Sequence, residues 1–136
     1  EGNEEIALEY AKGLFNLSNK QEEAGAKGSV SRLEELSGKY EGNEEIALEY
    51  AKGLFNLSNK QEEAGAKGSV SRLEELSGKY EGNEEIALEY AKGLFNLSCD
   101  QDESKRRTSL KRLDELRKKY KLVDEWFIEF FRNLNK

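Results

Sequence analysis

The sequence of 136 residues contains no histidine, no proline and no methionine, and it has a single cysteine. The absence of histidine removes the commonest general base and a common metal ligand. One cysteine excludes an intrachain disulfide framework. No apolar run approaches the ~20 residues needed to span a bilayer, so we expect no membrane contact. These absences predict a protein that is not an enzyme and that uses no cofactor or metal.

Charged residues are abundant but unevenly distributed along the chain, whose formal net charge is −6. Residues 1–40 carry eight glutamates against four lysines and one arginine, whereas residues 81–136 carry twelve acidic and twelve basic residues. Because binding to phosphate backbones requires an excess of Lys and Arg, we expect no nucleic-acid partner. No signal-peptide pattern opens the sequence, which favours a cytoplasmic location while leaving localisation open.

A 40-residue repeat organises the chain. Residues 41–80 are identical to residues 1–40, and residues 81–98 repeat the first eighteen positions before the sequence diverges at Cys99. A fixed period of this length indicates one small unit stacked on itself. We therefore predict a single repeat domain, 1–136, that is divided into four segments: repeat 1 (1–40), repeat 2 (41–80), repeat 3 (81–120, second half diverged) and a capping half-repeat (121–136).

Each unit is predicted to begin with a deeply buried helix. Asn3 is a favourable N-cap, and the acidic pair that follows it suits the positive end of the helix dipole. At about 100° per residue, apolar side chains cover more than half of the helix circumference. In the central unit this register places Leu54 in the core and Lys52 on a polar stripe facing solvent.

A second, more amphipathic helix completes the unit. Residues 18–21 match a capping box and predict a helix from about Asn19 to Ser37 that ends near Gly38 or Gly42, after which Asn43 begins the next unit. Neither helix can bury its apolar face alone, so identical hairpins must stack. We predict an all-α fold, an α-solenoid of three and a half repeats with seven helices.

The divergent C-terminal part keeps the same register. Leu110, Leu113, Leu116 and Tyr120 match Val70, Leu73, Leu76 and Tyr80, while Trp126, Phe130, Phe131 and Leu134 match Ile86, Tyr90, Ala91 and Leu94. Apolar surface is expected at both ends of the stack, because the first unit has no predecessor in the sequence and the half-repeat has no second helix. Exposed patches of this kind mark association sites. The residues concerned are Ile6, Ala7, Tyr10 and Ala11 at one end, and Trp126, Phe127, Phe130 and Phe131, as self-association residues, at the other.

The paired helices resemble tetratricopeptide (TPR-like) repeats. The residues that carry the resemblance are Tyr10-Ala11 and Leu14 on the first helix and Gly42-Asn43 at the junction. The 40-residue period is atypical, since that family has a period of about 34 residues. The resemblance implies a superhelix whose first helices line a concave, peptide-binding surface.

The leading functional hypothesis is a non-enzymatic scaffold that binds a protein or peptide partner along the polar stripe of the first helices. The alternative is a structural repeat module, natural or engineered, that associates end to end with its own copies or spaces other domains. The stripe comprises Glu5, Glu9, Lys12, Asn16, Glu45, Glu49, Lys52, Asn56, Glu85, Glu89, Lys92, Asn96, Glu125, Glu129, Arg132 and Lys136.

A basic cluster in repeat 3 is the one charge anomaly, whereas Cys99 is interpreted as a free thiol. The cluster is interpreted as a solvated cap face with favourable charge near a helix C-terminus. The alternative is a site for an acidic partner, including the acidic flank of another copy of the chain. Its residues are Lys105, Arg106, Arg107, Lys111, Arg112, Arg117, Lys118 and Lys119.

Overall fold

The computed structural model describes residues 2–134; Glu1, Asn135 and Lys136 lie outside the described residues. Within this range there are seven helices and no strand, and the predicted all-α solenoid is confirmed. The helices are α1 (Gly2–Lys20), α2 (Glu23–Lys39), α3 (Glu44–Lys60), α4 (Glu63–Lys79), α5 (Glu84–Asp100), α6 (Glu103–Lys119) and α7 (Lys121–Leu134).

A glycine and an asparagine build the junction between units. Gly42 and Gly82 have φ angles of +93° and +95°, in the left-handed region that a Cβ disfavours. Asn43 and Asn83 follow as N-caps, and their side-chain oxygens accept hydrogen bonds from the backbone N–H three residues on, at 3.0 and 2.9 Å. In the first unit, Asn3 lies inside α1 and the predicted cap is not formed, because the turn that orders Asn43 begins in the preceding unit.

The second helices begin later than predicted. Ser18 forms no capping box, because its hydroxyl donates back to the carbonyl three residues earlier, at 2.7 Å, and the residue stays on the first helix. The N-cap of α2 is Glu22, which makes no side-chain capping bond. Gln21 instead accepts a hydrogen bond from Ser29 at 2.7 Å and so ties the connection to the second helix. The same contacts recur in the next units.

The helices stack so that the two sides of the solenoid differ. Neighbouring first helices pack directly on one another, α1 on α3, α3 on α5 and α5 on α7. Each of α2 and α4 lies between the first helix of its own unit and that of the next unit. Within the described residues, neighbouring second helices share no backbone packing. The stack is therefore tighter along its first helices than along its second helices.

Apolar residues of both helices form one continuous core. Leu54 is 1% exposed, which confirms its predicted placement, and Ile46 beside it is fully buried. On the second helices, Leu33 and Leu73 are also fully buried. The first helices α3 and α5 are thus covered from several sides, as their wide apolar arc predicts.

Polar contacts fix the register between successive units. The hydroxyl oxygen of Tyr80 accepts a hydrogen bond from the backbone N–H of Gly42 at 3.0 Å. The side-chain amide of Asn43 donates to Glu4 at 2.8 Å. One unit later the same two contacts measure 3.2 and 2.7 Å. Each junction is therefore held by the units on both sides of it.

The last helix departs from the predicted register. Trp126, predicted to take the place of fully buried Ile86, is only half-buried, whereas Val123 is the fully buried residue of α7. The cause is the connection, because Tyr120 leads directly into α7 without the Gly-Asn turn of the other units. The apolar face therefore starts earlier. Trp126, Phe130, Phe131 and Leu134 are less buried than the residues they match, and for the three aromatic residues this agrees with the apolar surface expected at this end.

A glycine permits close approach between units. A Cβ on Gly53 would lie 2.9 Å from Leu33 Cδ1 and 3.3 Å from Val30 Cγ2, in the core between α2 and α3. At the equivalent Gly13 nothing lies within 4 Å of such an atom. Glycine is therefore required for close packing at Gly53, whereas at Gly13 a larger side chain would meet only open space.

We predict opposite effects for one substitution at these two equivalent positions. Gly13→Ala should stabilise the chain by about 0.5–1 kcal/mol, since alanine favours the helix over glycine. Gly53→Ala gains the same propensity but crowds the core, and overpacking costs about 1–3 kcal/mol. Urea unfolding should place the Gly13→Ala midpoint above the parent chain and the Gly53→Ala midpoint below it. Equal midpoints would contradict the close packing of α2 on α3.

Candidate interaction surfaces

The polar stripe of the first helices is only partly exposed. Glu49 and Glu89 are 6% and 9% exposed, although the sequence analysis places them on a solvent-facing stripe. Lys52, Lys92 and Asn56 are half-buried. Lys136 lies outside the described residues. The exposed members are Glu5, Glu9, Lys12, Asn16, Glu45, Glu85, Asn96, Glu125, Glu129 and Arg132.

The buried glutamates belong to an interaction between units. The carboxylate of Glu49 lies 3.0 Å from Lys52 Nζ, and this ammonium lies 5.2 Å from the ring centre of Phe15 on the preceding first helix. The same arrangement recurs one unit later, with distances of 3.0 and 4.8 Å. A lysine can cover an aromatic ring with its stem and attract the ring's face with its charge. These polar residues therefore seal the contact between first helices.

Asparagines make a second bridge between first helices. The side-chain amide of Asn56 donates to Asn19, and that of Asn96 donates to Asn59 at 2.8 Å. At the next position in this series the repeat has Cys99, which is exposed. Two asparagines of the predicted polar stripe, Asn56 and Asn96, therefore take part in contacts between units.

Two apolar positions complete this side of the stack. Leu48 and Phe55 are half-buried on the same side of α3 as Lys52, because spacings of four and three residues share a helix face. Both positions fall within the wide apolar arc of the helix, so the pattern alone does not set them apart from the core, although their spacing from Lys52 was the available signal. We call the following set the first-helix face: Glu45, Leu48, Lys52, Phe55 and Asn56, with Glu5, Leu8, Lys12, Phe15, Asn16 and Glu85, Leu88, Lys92, Phe95, Asn96.

The aromatic tail consists of four residues of α7: Trp126, Phe127, Phe130 and Phe131. All four are half-buried. The rings of Trp126, Phe130 and Phe131 lie edge-on to Phe95, with centroid distances of 6.2, 5.1 and 5.8 Å. The guanidinium of Arg117 lies 3.9 Å from the ring centre of Phe127. The tail is therefore covered in part by its own chain, and its role in self-association stays a prediction.

The opposite end presents an open apolar face on α1. Ile6, Tyr10 and Leu17 are 71%, 49% and 48% exposed, whereas the equivalent residues of α3 are 0%, 6% and 5% exposed. Ala7 and Ala11, expected on the same bare face, are buried. We call Ile6, Tyr10 and Leu17 the open end.

The basic cluster makes more contacts than a solvated cap face would. Arg106 donates to two carbonyls at the C-terminal end of α5, at 2.9 and 3.0 Å. Arg112 pairs with Glu74 of the preceding second helix. The Nζ atom of Lys119 lies 2.6 Å from the carboxylate oxygen Oε2 of Glu81. This hydrogen bond lowers the pKa of Glu81 and raises the pKa of Lys119. Part of the cluster therefore joins repeat 3 to its neighbours.

Two grooves lie between successive second helices, where these helices do not pack together. The α2–α4 groove has a volume of about 270 Å³ and is floored by Leu54 and Leu57 of α3. The α4–α6 groove has a volume of about 330 Å³ and is floored by Leu94 and Leu97 of α5. Neither groove is predictable from the sequence, because their existence depends on the spacing between units.

Two equivalent tyrosines of the first helices, Tyr50 and Tyr90, are buried, and Tyr90 lines the α4–α6 groove. Burial, and then the charge of Glu34, raises the pKa of Tyr50 to about 12. Burial, and then the charge of Glu115, raises the pKa of Tyr90 to about 12. Both phenols therefore keep their protons throughout the physiological range, and the oxygen of Tyr90 accepts a hydrogen bond from Arg112 at 3.0 Å.

Searches for other kinds of site and for relatives gave no match. Between residues 2 and 134 no three His, Cys, Asp or Glu side chains are grouped so that they could hold a metal ion. None of the described helices is both long and apolar enough to cross a bilayer. No protein-family model, no curated protein and no solved structure matches the chain.

We predict unequal losses of stability at two equivalent lysines. Lys12 pairs with an exposed glutamate, so Lys12→Ala should cost no more than about 0.5 kcal/mol. Lys52→Ala should cost about 1–3 kcal/mol, because it leaves the buried carboxylate of Glu49 without its partner. This corrects the solvent-facing placement of Lys52. Urea midpoints of the two variants provide the measurement, and equal small effects would contradict a sealing role for the pair.

Proposed function

We propose that the chain is a non-enzymatic interaction scaffold whose first-helix face binds an extended peptide of basic or polar character. The observation that carries this proposal is the recurrence of one set of side chains every 40 residues on helices packed side by side. A peptide laid across the helices would meet the same groups at each unit. Repeated modest contacts along one chain add up without a single deep pocket.

The arrangement of the helices supports the interpretation of the stack as a TPR-like superhelix. First helices pack directly and second helices do not, so a superhelix would carry the first helices on its inner side. In the family that the sequence resembles, this inner side is the peptide-binding surface. The half-buried Leu48 and Phe55 would provide apolar contacts there.

The charge of the face favours a basic peptide. Lys52 and Lys92 are already paired with Glu49 and Glu89, at 3.0 Å in each case. On repeats 2 and 3 the exposed charge that remains is the carboxylate of Glu45 or Glu85, whereas repeat 1 also exposes Glu9 and Lys12, which pair with each other at 3.4 Å. Lysines or arginines of a partner would therefore find an unpaired acid at each step of the stack.

Charge reversal on the face tests this proposal. Peptides would be selected from a random display library against the intact chain, and their affinities measured by fluorescence anisotropy. Glu45→Lys with Glu85→Lys should weaken a selected basic peptide by about tenfold, which corresponds to the loss of two favourable charge contacts. Apolar contacts with the face should leave part of the affinity intact.

The matched control is Glu35→Lys with Glu75→Lys, which changes the net charge equally on exposed positions of the second helices. This pair should change the affinity by less than about twofold. Equal losses of affinity for both pairs of substitutions would mean that the peptide binds through general charge attraction and not at the first-helix face. Failure to select any peptide would oppose the scaffold function.

End-to-end association is a second candidate function, favoured by the open end. The equivalents of Ile6, Tyr10 and Leu17 on α3 are covered by the preceding unit, so the open end has the shape and chemistry that receive another hairpin surface. A contact between open end and aromatic tail would join unlike surfaces and propagate, whereas tail-to-tail pairing would close as a dimer.

Sedimentation velocity over a wide concentration range tests the second candidate. Ile6→Ser with Leu17→Ser removes exposed apolar surface and should reduce head-to-tail association while leaving the fold intact. Ser31→Ala, an exposed position on α2, provides a control for substitution as such. Association that persists in the Ile6→Ser, Leu17→Ser variant would assign the contact to the tail alone, and a strict monomer would exclude both arrangements.

A further inference from the structure

The α4–α6 groove lies away from the first-helix face. Its floor residues Leu94 and Leu97 occupy the other side of α5 from Leu88 and Lys92, since they are more than 90° away around the helix. The groove exists because α4 and α6 are held apart by the units they belong to. It is a separate surface from the one assigned above to the scaffold function.

The floor of this groove is apolar, and one wall adds a single apolar residue. Leu94 and Leu97 rise from α5, and Val70 contributes from α4. A volume of about 330 Å³ is at the lower end of the range for small-ligand pockets. The space therefore suits one or two side chains of a peptide better than a whole helix.

The rim of the groove is basic in a chain that is acidic overall. Lys67, Lys105 and Arg112 line it, and Glu74 is its one carboxylate among the lining residues. Glu74 already pairs with Arg112, while Lys105 lies 4.0 Å from Glu63, at the outer limit of an ion pair. Positive groups beside a low-dielectric floor concentrate the field on the groove. Its charge complements an acidic ligand.

The divergence of repeat 3 falls on this groove. Ser104, Lys105 and Thr108 line its wall, where α4 has Ala64, Gly65 and Gly68. These side chains face the preceding unit, which is complete, so a missing neighbour does not account for them. The substitutions add hydrogen-bond donors and one positive charge to the wall of the groove.

Tyr90 adds a further donor at the groove. Tyr90 lines the groove, and its oxygen accepts a hydrogen bond from Arg112 at 3.0 Å, which leaves the O–H able to donate. The O–H proton is therefore available to a carboxylate of a ligand.

We propose that the α4–α6 groove binds an acidic peptide segment of another protein. Carboxylates of the segment pair with Lys67 and Lys105, and one apolar side chain packs on Leu94 and Leu97. The groove beside repeat 3 would thus bind an acidic partner, whereas the first-helix face would bind a basic one.

A labelled peptide tests the proposal on the intact chain. The probe is a short fluorescein-labelled peptide with a central leucine flanked by aspartate and glutamate, and its binding is measured by fluorescence anisotropy at low salt. Lys67→Gln with Lys105→Gln should weaken binding by about tenfold, because two rim charges are lost. Replacing the central leucine of the probe by serine should weaken binding also, since the apolar floor loses its contact.

The control variant is Lys111→Gln with Lys118→Gln, which removes the same charge from exposed positions of α6 outside the groove. It should change the affinity by less than about twofold. Circular dichroism should confirm an unchanged helix content in both variants. Because the probe and the variants differ from those used for the first-helix face, the two proposals can fail separately.

Three outcomes would overturn the proposal. The first is a lack of binding by the acidic probe. The second is an equal loss in the groove and control variants, which would reduce the effect to general charge attraction. The third is self-association of the parent chain that Lys67→Gln with Lys105→Gln abolishes, since the occupant would then be the acidic flank of a second copy.

Discussion

The contact between one unit and the next is the interaction on which the whole structure depends. Because units 1 and 2 are identical, one surface must complement another displaced by a single repeat. One methyl group of Leu33 and one of Val30 crowd the position of a Cβ at Gly53, Lys52 covers Phe15, and Tyr80 holds the turn at Gly42. Each unit contacts only its neighbours, so stability is a sum of units and of the interfaces between them.

This interface determines which polar residues remain free for recognition. Glu49 looks like a surface residue in a helical pattern, yet it is buried beside Lys52 in the contact between first helices. What remains exposed is a narrower face with an acidic residue and two half-buried apolar residues per unit. The looser spacing of the second helices leaves grooves on the other side, and there repeat 3 carries Lys105 and Thr108 in place of glycines.

The two ends of the described stack differ from its middle. Phe15 and Phe55 are covered by lysines of the next unit, whereas Phe95 is covered by Trp126, Phe130 and Phe131. The aromatic tail thus replaces a charged cover by an apolar one. At the other end, the open end (Ile6, Tyr10 and Leu17) has the same apolar residues that are buried between units elsewhere, but here they are exposed. The proposed end-to-end association rests on this exposed apolar surface.

The sequence by itself determined the repeat, the two helices of each unit, the caps at Asn43 and Asn83, and the buried place of Leu54. These features depend on helical periodicity and local turn chemistry, which a single segment contains. Tertiary structure decided the start of the second helices, the burial of Glu49, the register of α7 and the existence of the grooves. The burial of Glu49 and the grooves depend on the distance to residues about one unit away. The start of the second helices depends on the hydrogen bond of Ser18, which competes with a predicted cap, and the register of α7 depends on the connection at Tyr120. Periodicity tells which side of a helix is apolar, but only packing tells how closely the next helix covers it.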